Sequence, residues 1–235
     1  MKTHLLGSFI AALLLAGAVQ AQQIVSYVTS PLSPLLTGTP TSATRTVQLP
    51  GFDFNLGTLT AVKLTFDGFV QQRARGEFFN NAGTGTSPFS YNVATTVALD
   101  RSGGPDLLDF APVTLVGAGT RQSLFDGVFD FAGPSGFDTA LITTALLDSC
   151  FAPQNLLASY ISVSPINYLV TATGNSSVSG PGNFSAGTTN LVGGFLGVEY
   201  TYTAIPEPST YAAILGVATL GYAALRRRKQ KQVIA

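Results

Sequence analysis

Apolar and polar residues alternate with a period of two in several segments of this chain, the pattern of strands that bury one face. From Phe89 to Leu99 the odd positions are mostly large and the even positions small or polar. Val62, Leu64 and Phe66 alternate with Lys63 and Thr65; Leu196, Val198, Tyr200 and Tyr202 alternate with Gly197, Glu199 and Thr201. Strands are also predicted over Leu107–Val116, Leu124–Phe131, Tyr160–Val163 and Tyr168–Thr173, punctuated by turn clusters such as Arg101-Ser102-Gly103-Gly104-Pro105 and Gly174-Asn175-Ser176-Ser177. Short strands with such turns predict an all-β fold, an antiparallel β-sandwich. Asp138 to Asp148 is the one helix read in this middle part, although its Thr and Ile content works against it. No long repeat emerges.

The pattern breaks at both ends. Lys2 and His4 precede an apolar run from Leu5 to Val19, and Val19 and Ala21 occupy the −3 and −1 positions of a cleavage site between Ala21 and Gln22. This charged, apolar, small order predicts a signal peptide over 1–21; fifteen apolar residues are short for an uncleaved anchor. At the other end Pro206, Glu207 and Pro208 hold the chain extended, since proline excludes helix there. An uncharged stretch then leads to Arg226, Arg227, Arg228 and Lys229. A transmembrane helix is predicted over 210–225, about 24 Å long at about 1.5 Å per residue, short of a typical hydrocarbon core. By the positive-inside rule the basic cluster 226–229 stays cytoplasmic and the body of the protein is exported. The predicted organisation is therefore 1–21 leader, 22–204 β-sandwich ectodomain, and 205–229 C-terminal signal.

Composition narrows the chemistry. Between the two terminal segments stand six basic and eleven acidic side chains, an excess of five negative charges, so the ectodomain has no basic patch for nucleic acid. The only histidine is His4, inside the leader, which removes His-based triads, proton shuttles and His-ligated zinc from the exported form. The single cysteine, Cys150, allows no internal disulfide and lies among apolar neighbours, as a small buried thiol would.

The remaining candidates each have a plainer reading. Asp126, Asp130 and Asp138, with Asp67-Gly68 elsewhere, could hold Ca²⁺, or are turn-forming and strand-edge acids. Asp106 and Asp109 could serve as paired carboxylates of a glycoside hydrolase, or lie in a loop. Arg73 and Arg75 could form a ligand site, or are a charged strand edge that discourages pairing. Tyr91, Tyr160, Tyr168, Tyr200 and Tyr202 read as a sugar-stacking platform or as core-edge tyrosines. Asn175-Ser176-Ser177 and Asn183-Phe184-Ser185 match the N-glycosylation pattern.

Pro206-Glu207-Pro208-Ser209-Thr210, the short apolar helix with Gly216 and Gly221, and the basic cluster together resemble the PEP-CTERM sorting signal. That resemblance implies a Gram-negative bacterium that makes exopolysaccharide, and an exosortase, an integral-membrane transpeptidase-like enzyme, as partner. Pro206, Glu207 and Pro208 would be the recognised motif, with Gln230 to Ala235 a departure from the pattern. The stretch Thr46 to Asp53, then Leu56 to Val62 and Phe66-Asp67-Gly68, resembles the opening of the choice-of-anchor type E domain. Phe125-Asp126-Gly127, Phe131-Ala132-Gly133, Ser179 to Phe184 and Val198 to Thr203 are similar to its later landmarks. Such domains imply no catalytic residues and no cofactor. The expectation is a non-catalytic protein cut by signal peptidase, held transiently in the inner membrane and processed by exosortase. It would then pass to the cell surface or an exopolysaccharide matrix. The alternative is a secreted carbohydrate-active enzyme using two carboxylates.

Overall fold

A computed structural model describes residues 22–29, 31–37, 41–80, 85–104, 106–205 and 208–233. The strands are β1 (Gln22–Val28), β2 (Leu32–Thr37), β3 (Thr41–Leu49), β4 (Gly57–Phe78), β5 (Thr86–Arg101) and β6 (Asp106–Asp109). They continue with β7 (Val113–Gln122), β8 (Gly136–Asp138), β9 (Ile142–Phe151), β10 (Ile166–Ser179) and β11 (Phe184–Ala204), and a helix α1 spans Pro208–Val233. All the strand pairs are antiparallel. One sheet runs β1-β11-β4-β8, with β2 also on β11 and β9 also on β4; the other runs β3-β10-β5-β6, with β7 also on β5. The two sheets face each other as a sandwich.

The alternation seen in the sequence is the reason. In β4 the even positions Val62, Leu64, Phe66 and Val70 are buried, and they meet Val97, Leu99, Tyr168 and Val170 of the opposite sheet in one hydrophobic cluster. A second cluster gathers Ala74, Phe78, Phe89, Val93 and Phe137, with Phe89 and Phe137 stacked at 3.9 Å between ring centroids. Each large side chain fully buried in this way contributes about 1.5–3 kcal/mol.

A polar layer shares the interior with these clusters. Gln72, Thr95, Asn190 and Ser176 are all buried. The Gln72 amide nitrogen crosses between the sheets to the carbonyls of Val93 (3.0 Å) and Val113 (3.1 Å) and to Thr95 Oγ1 (3.1 Å). Thr95 Oγ1 donates to Asn190 Oδ1 (2.9 Å), and Asn190 Nδ2 donates to Ser176 Oγ (2.9 Å). Nearby, β4 and β11 approach closely at Gly68 and Gly194, which are register partners. A Cβ on Gly194 would lie 2.5 Å from the Asp67 carbonyl oxygen, and its φ of +156° suits glycine.

Several expectations are corrected. Asp138–Asp148 is not a helix: it contains the end of β8, a turn at Ala140 (φ 60°) and most of β9. The β-branched Ile142, Thr143 and Thr144 pair with Gln72, Gln71 and Val70, and the ladder prevails over weak helix propensity. Leu107–Val116 is split at Phe110-Ala111-Pro112, where proline cannot donate to a ladder. Leu124–Phe131 forms only an isolated bridge at Leu124, since Gly127 (φ 96°) and Phe131 (φ 60°) turn the backbone. Tyr160 ends a 3-10 helix, Gln154–Tyr160, and only Ile161 bridges onward, to Phe52. Helix α1 contains the segment 210–225, yet among the described residues no helix is long and apolar enough to cross a membrane. Its uncharged run reaches only Leu225 before Arg226.

Two outcomes are expected. Gln72→Leu leaves the Val93 and Val113 carbonyls without this donor and should cost about 1–3 kcal/mol, read as a lower Tm in thermal melts. Combined with Asn190→Leu the loss should be clearly less than additive, because both act on one network; additivity would mean two independent sites. The second outcome concerns pH. Asp138 accepts from Arg73 Nε at 2.8 Å and also binds Arg73 Nη2. This bond, aided by the Ala140 amide and opposed by burial, holds its carboxyl below the ordinary value. A depressed carboxylate stabilises the fold above its unfolded pKa of about 3.9 and loses that contribution as pH falls through the folded value. Urea titrations of wild type and Asp138→Asn should therefore differ at pH 7, by up to about 1 kcal/mol, begin to approach each other as pH falls below about 4, and converge only once it has passed the folded value.

Candidate functional site

The C-terminal signal emerges from the end of a central strand. Thr203 and Ala204 of β11 pair with Thr58 and Gly57 of β4, and the Ile205 amide donates to the Leu56 carbonyl at 3.3 Å. Pro206 and Glu207 lie outside the described residues, as do the leader 1–21 and with it Ala21. Helix α1 starts at Pro208, the first-turn position where a missing N–H costs nothing. Leu215, Val217, Leu220 and Tyr222 are all exposed, and a side chain added at Gly216 or Gly221 would meet nothing within 4 Å. The described part of this helix thus shows apolar residues with no packing partner. Arg226 and Arg227 are exposed near its C-terminal end, and Arg228 and Lys229 continue it, where cations favour the helix dipole. Gln22 opens β1 and pairs with Thr203, so the predicted cleavage point and the C-terminal signal adjoin the same corner of one sheet.

Three candidate acids of the middle part, Asp126, Asp130 and Asp138, are engaged by local backbone. Asp126 Oδ1 accepts from the Val128 amide (3.1 Å), Asp130 Oδ1 from Ala132 (2.8 Å) and Asp138 Oδ1 from Ala140 (2.9 Å), three turns closed two residues on. Among the described residues no group of three or more His, Cys, Asp or Glu is arranged to hold a metal ion. Asp106 and Asp109 stand at opposite ends of the four-residue β6. Arg73 and Arg75 do share a face, but β4 is an interior strand, not an edge. Arg73 grips Asp138, and the Arg75 guanidinium lies 4.5 Å from the centre of the Phe131 ring. The tyrosine platform does not form: Tyr160, Tyr168 and Tyr200 are fully buried. Tyr200 donates to the Pro50 carbonyl at 2.8 Å, and burial pushes the Tyr168 and Tyr200 hydroxyls up. Cys150 is half-buried, and burial together with Asp148 raises its pKa, the opposite of activation.

One concave feature escaped the sequence reading. An open cavity of about 310 Å³ lies on the outer face of the β1-β11-β4 sheet, lined among others by Ser26, Thr65, Asp67, Phe195, Gly197 and Glu199. In the sequence all of these but Phe195 are polar or small, and Thr65, Phe195 and Gly197 alternate with the buried Leu64, Phe66, Leu196 and Val198. Only the register that pairs Phe195 with Asp67 and Gly197 with Thr65 makes them neighbours.

No curated protein sequence matches the chain. Among solved structures it is similar to one of the infectious bursal disease virus Gt strain, at 11% identity and a TM-score of 0.25, over 90% of this chain and 51% of that one. It is also similar to one of T=1 particles derived from that virus, at 11% identity and a TM-score of 0.27, over 88% and 48%. The chain spans about half the length of these structures, and likeness at such TM-scores carries no argument about fold or function. Residues 204–229 match the PEP-CTERM protein-sorting motif, a signal that implies an exported protein sorted by an exosortase.

Proposed function

We propose that this chain is a non-catalytic protein of the cell surface or of an exopolysaccharide matrix, delivered there by its two terminal segments. Signal peptidase removes 1–21 between Ala21 and Gln22. The segment 210–225 then holds the chain transiently at the inner membrane, with Arg226 to Lys229 at the cytoplasmic headgroups. An exosortase reads Pro206, Glu207 and Pro208 and processes the chain near them. The ectodomain, read as a choice-of-anchor type E domain, remains as the exported product. The observation that carries this reading is the sorting-motif match over 204–229. The ectodomain's acids support the non-catalytic part, because those of the turns are engaged with backbone amides or with Arg73.

Glu207 is the only charge between Glu199 and Arg226. Replacing it by Ala alters the motif while leaving the helix's hydrophobicity unchanged, so insertion should survive and processing should stop. Neutral residues at Arg226, Arg227 and Arg228 should instead weaken the membrane orientation. Immunoblots of cell, membrane and medium fractions, in a host that encodes an exosortase, distinguish the two. Wild type should appear shortened, and Glu207→Ala should accumulate at greater length in the inner membrane. Equal shortening and release of both would overturn the assignment of the motif.

A further inference from the structure

The cavity on the first sheet is lined by residues of β1, β11 and β4, and the strand register carries its rows on to β9 as the floor and walls of a trough. Gly197 of β11, Thr65 of β4 and Ser149 of β9 are partners across the sheet and form a row of small residues, closed at the β1 end by the exposed Val28 beside Gly197. The row on one side is Glu199, Lys63 and Phe151; the row on the other is Phe195, Asp67 and Leu147. All these point away from the core, because their chain neighbours Leu64, Phe66, Leu196 and Val198 are buried. Phe195 is 42% exposed, Leu147 72% and Phe151 68%, an apolar content that a solvent face does not need. The trough crosses strands β11, β4 and β9, with β1 at its end, a length of about 14 Å at the usual strand spacing. Its wall rows are four residues apart along the strands, about 13 Å at the backbone. Once side chains are counted, that width admits a single chain.

We infer that this trough binds a saccharide chain that carries no negative charge, and this deepens the matrix reading above, on which it rests. The walls combine flat or aliphatic surface at Phe195, Phe151 and Leu147 with hydrogen-bonding groups at Asp67, Glu199 and Thr65. A sugar ring needs that combination, because its C–H faces lie against an aromatic ring while its hydroxyls donate to carboxylates. An extended peptide fits less well. The trough runs across the strands, so its floor offers no sheet edge to meet the peptide's backbone groups. A second copy is disfavoured by charge: face to face, Asp67 and Glu199 of one copy would be buried against those of the other, with only Lys63 in the same rows to offset them. A uronic-acid polymer meets the same carboxylates and a body with an excess of five acidic groups.

The test is affinity gel electrophoresis of the purified full-length chain in mild detergent, through gels holding hydroxyethyl cellulose, dextran, galactomannan or alginate. At least one neutral polymer should retard the wild type, and alginate should not. Phe195→Ala and Asp67→Asn should each weaken that retardation roughly tenfold, the size of one stacking or hydrogen-bonding contact. Val116→Ala, on the exposed side of β7 in the other sheet, should leave it unchanged. The inference fails if no neutral polymer retards the folded chain, if alginate binds as well, or if both trough variants bind like wild type. It also fails if sedimentation shows a dimer that Phe195→Ala dissociates, since a second copy would then occupy the trough. Phe195→Ala leaves Glu207 untouched and should be processed like wild type, so loss of sugar binding with intact processing separates this inference from the sorting assignment.

Discussion

The amide of Gln72 is the point on which the sandwich is registered. It leaves β4 in one sheet and meets backbone carbonyls on two strands of the other, β5 at Val93 and β7 at Val113. Hydrophobic surfaces slide past one another at modest cost, but a buried amide left without partners costs about 1–3 kcal/mol. The position of β4 relative to β5 and β7 is therefore fixed by a few directional bonds. Thr95, Asn190 and Ser176 extend the same constraint to β11 and β10, so five strands are tied by one network. Aliphatic residues and buried tyrosines fill the larger cluster, and phenylalanines dominate the smaller.

Given that registration, β4 and β11 act as the spine of their sheet, paired from Gly57–Ala204 to Phe78–Phe184. With one face of each committed to the core, their other face is set to the outside in a fixed order. Arg73 and Arg75 are drawn into holding down β8 and the turn segment beside it, through Asp138 and Phe131. Further along the same strands no covering segment exists among the described residues, and the row Gly197, Thr65, Ser149 is left as a floor. The binding surface is thus a consequence of where β8 and its turns stop.

The spine and the strand at Phe89–Leu99 were legible in the sequence because burial on one face alone writes a period of two. The first three strands were not read from alternation: Gln22–Val28 is mostly exposed and carries no clean apolar face. The false helix at 138–148 and the false strand at 124–131 share a cause. In the first, pairing with β4 decided the structure, and in the second Asp126 and Asp130 closed turns that the surrounding apolar residues had masked. Gln72, Asn190 and Ser176 look like ordinary surface residues in sequence, because a buried polar network has no periodic signature. The sorting signal was legible for the contrary reason: its order of motif, apolar run and basic cluster is read along the chain and needs no tertiary partner.

The placement of β11 links these two kinds of information. It is the last strand of the chain and an interior one, pairing with β1, β2 and β4. Neither β1, which begins at Gln22, nor the long face of β4 can complete its ladder until residues up to Ala204 are present. Contacts of such sequence separation form late, because loop closure must precede them. The sheet therefore closes only when the chain has been delivered up to the edge of the C-terminal signal. The pairing of Gln22 with Thr203 brings the start of β1 to that same corner. Under the proposed sorting route this arrangement would serve the chain: retention at its C-terminus would hold it while the spine assembles, and release near residue 206 would leave every described strand intact.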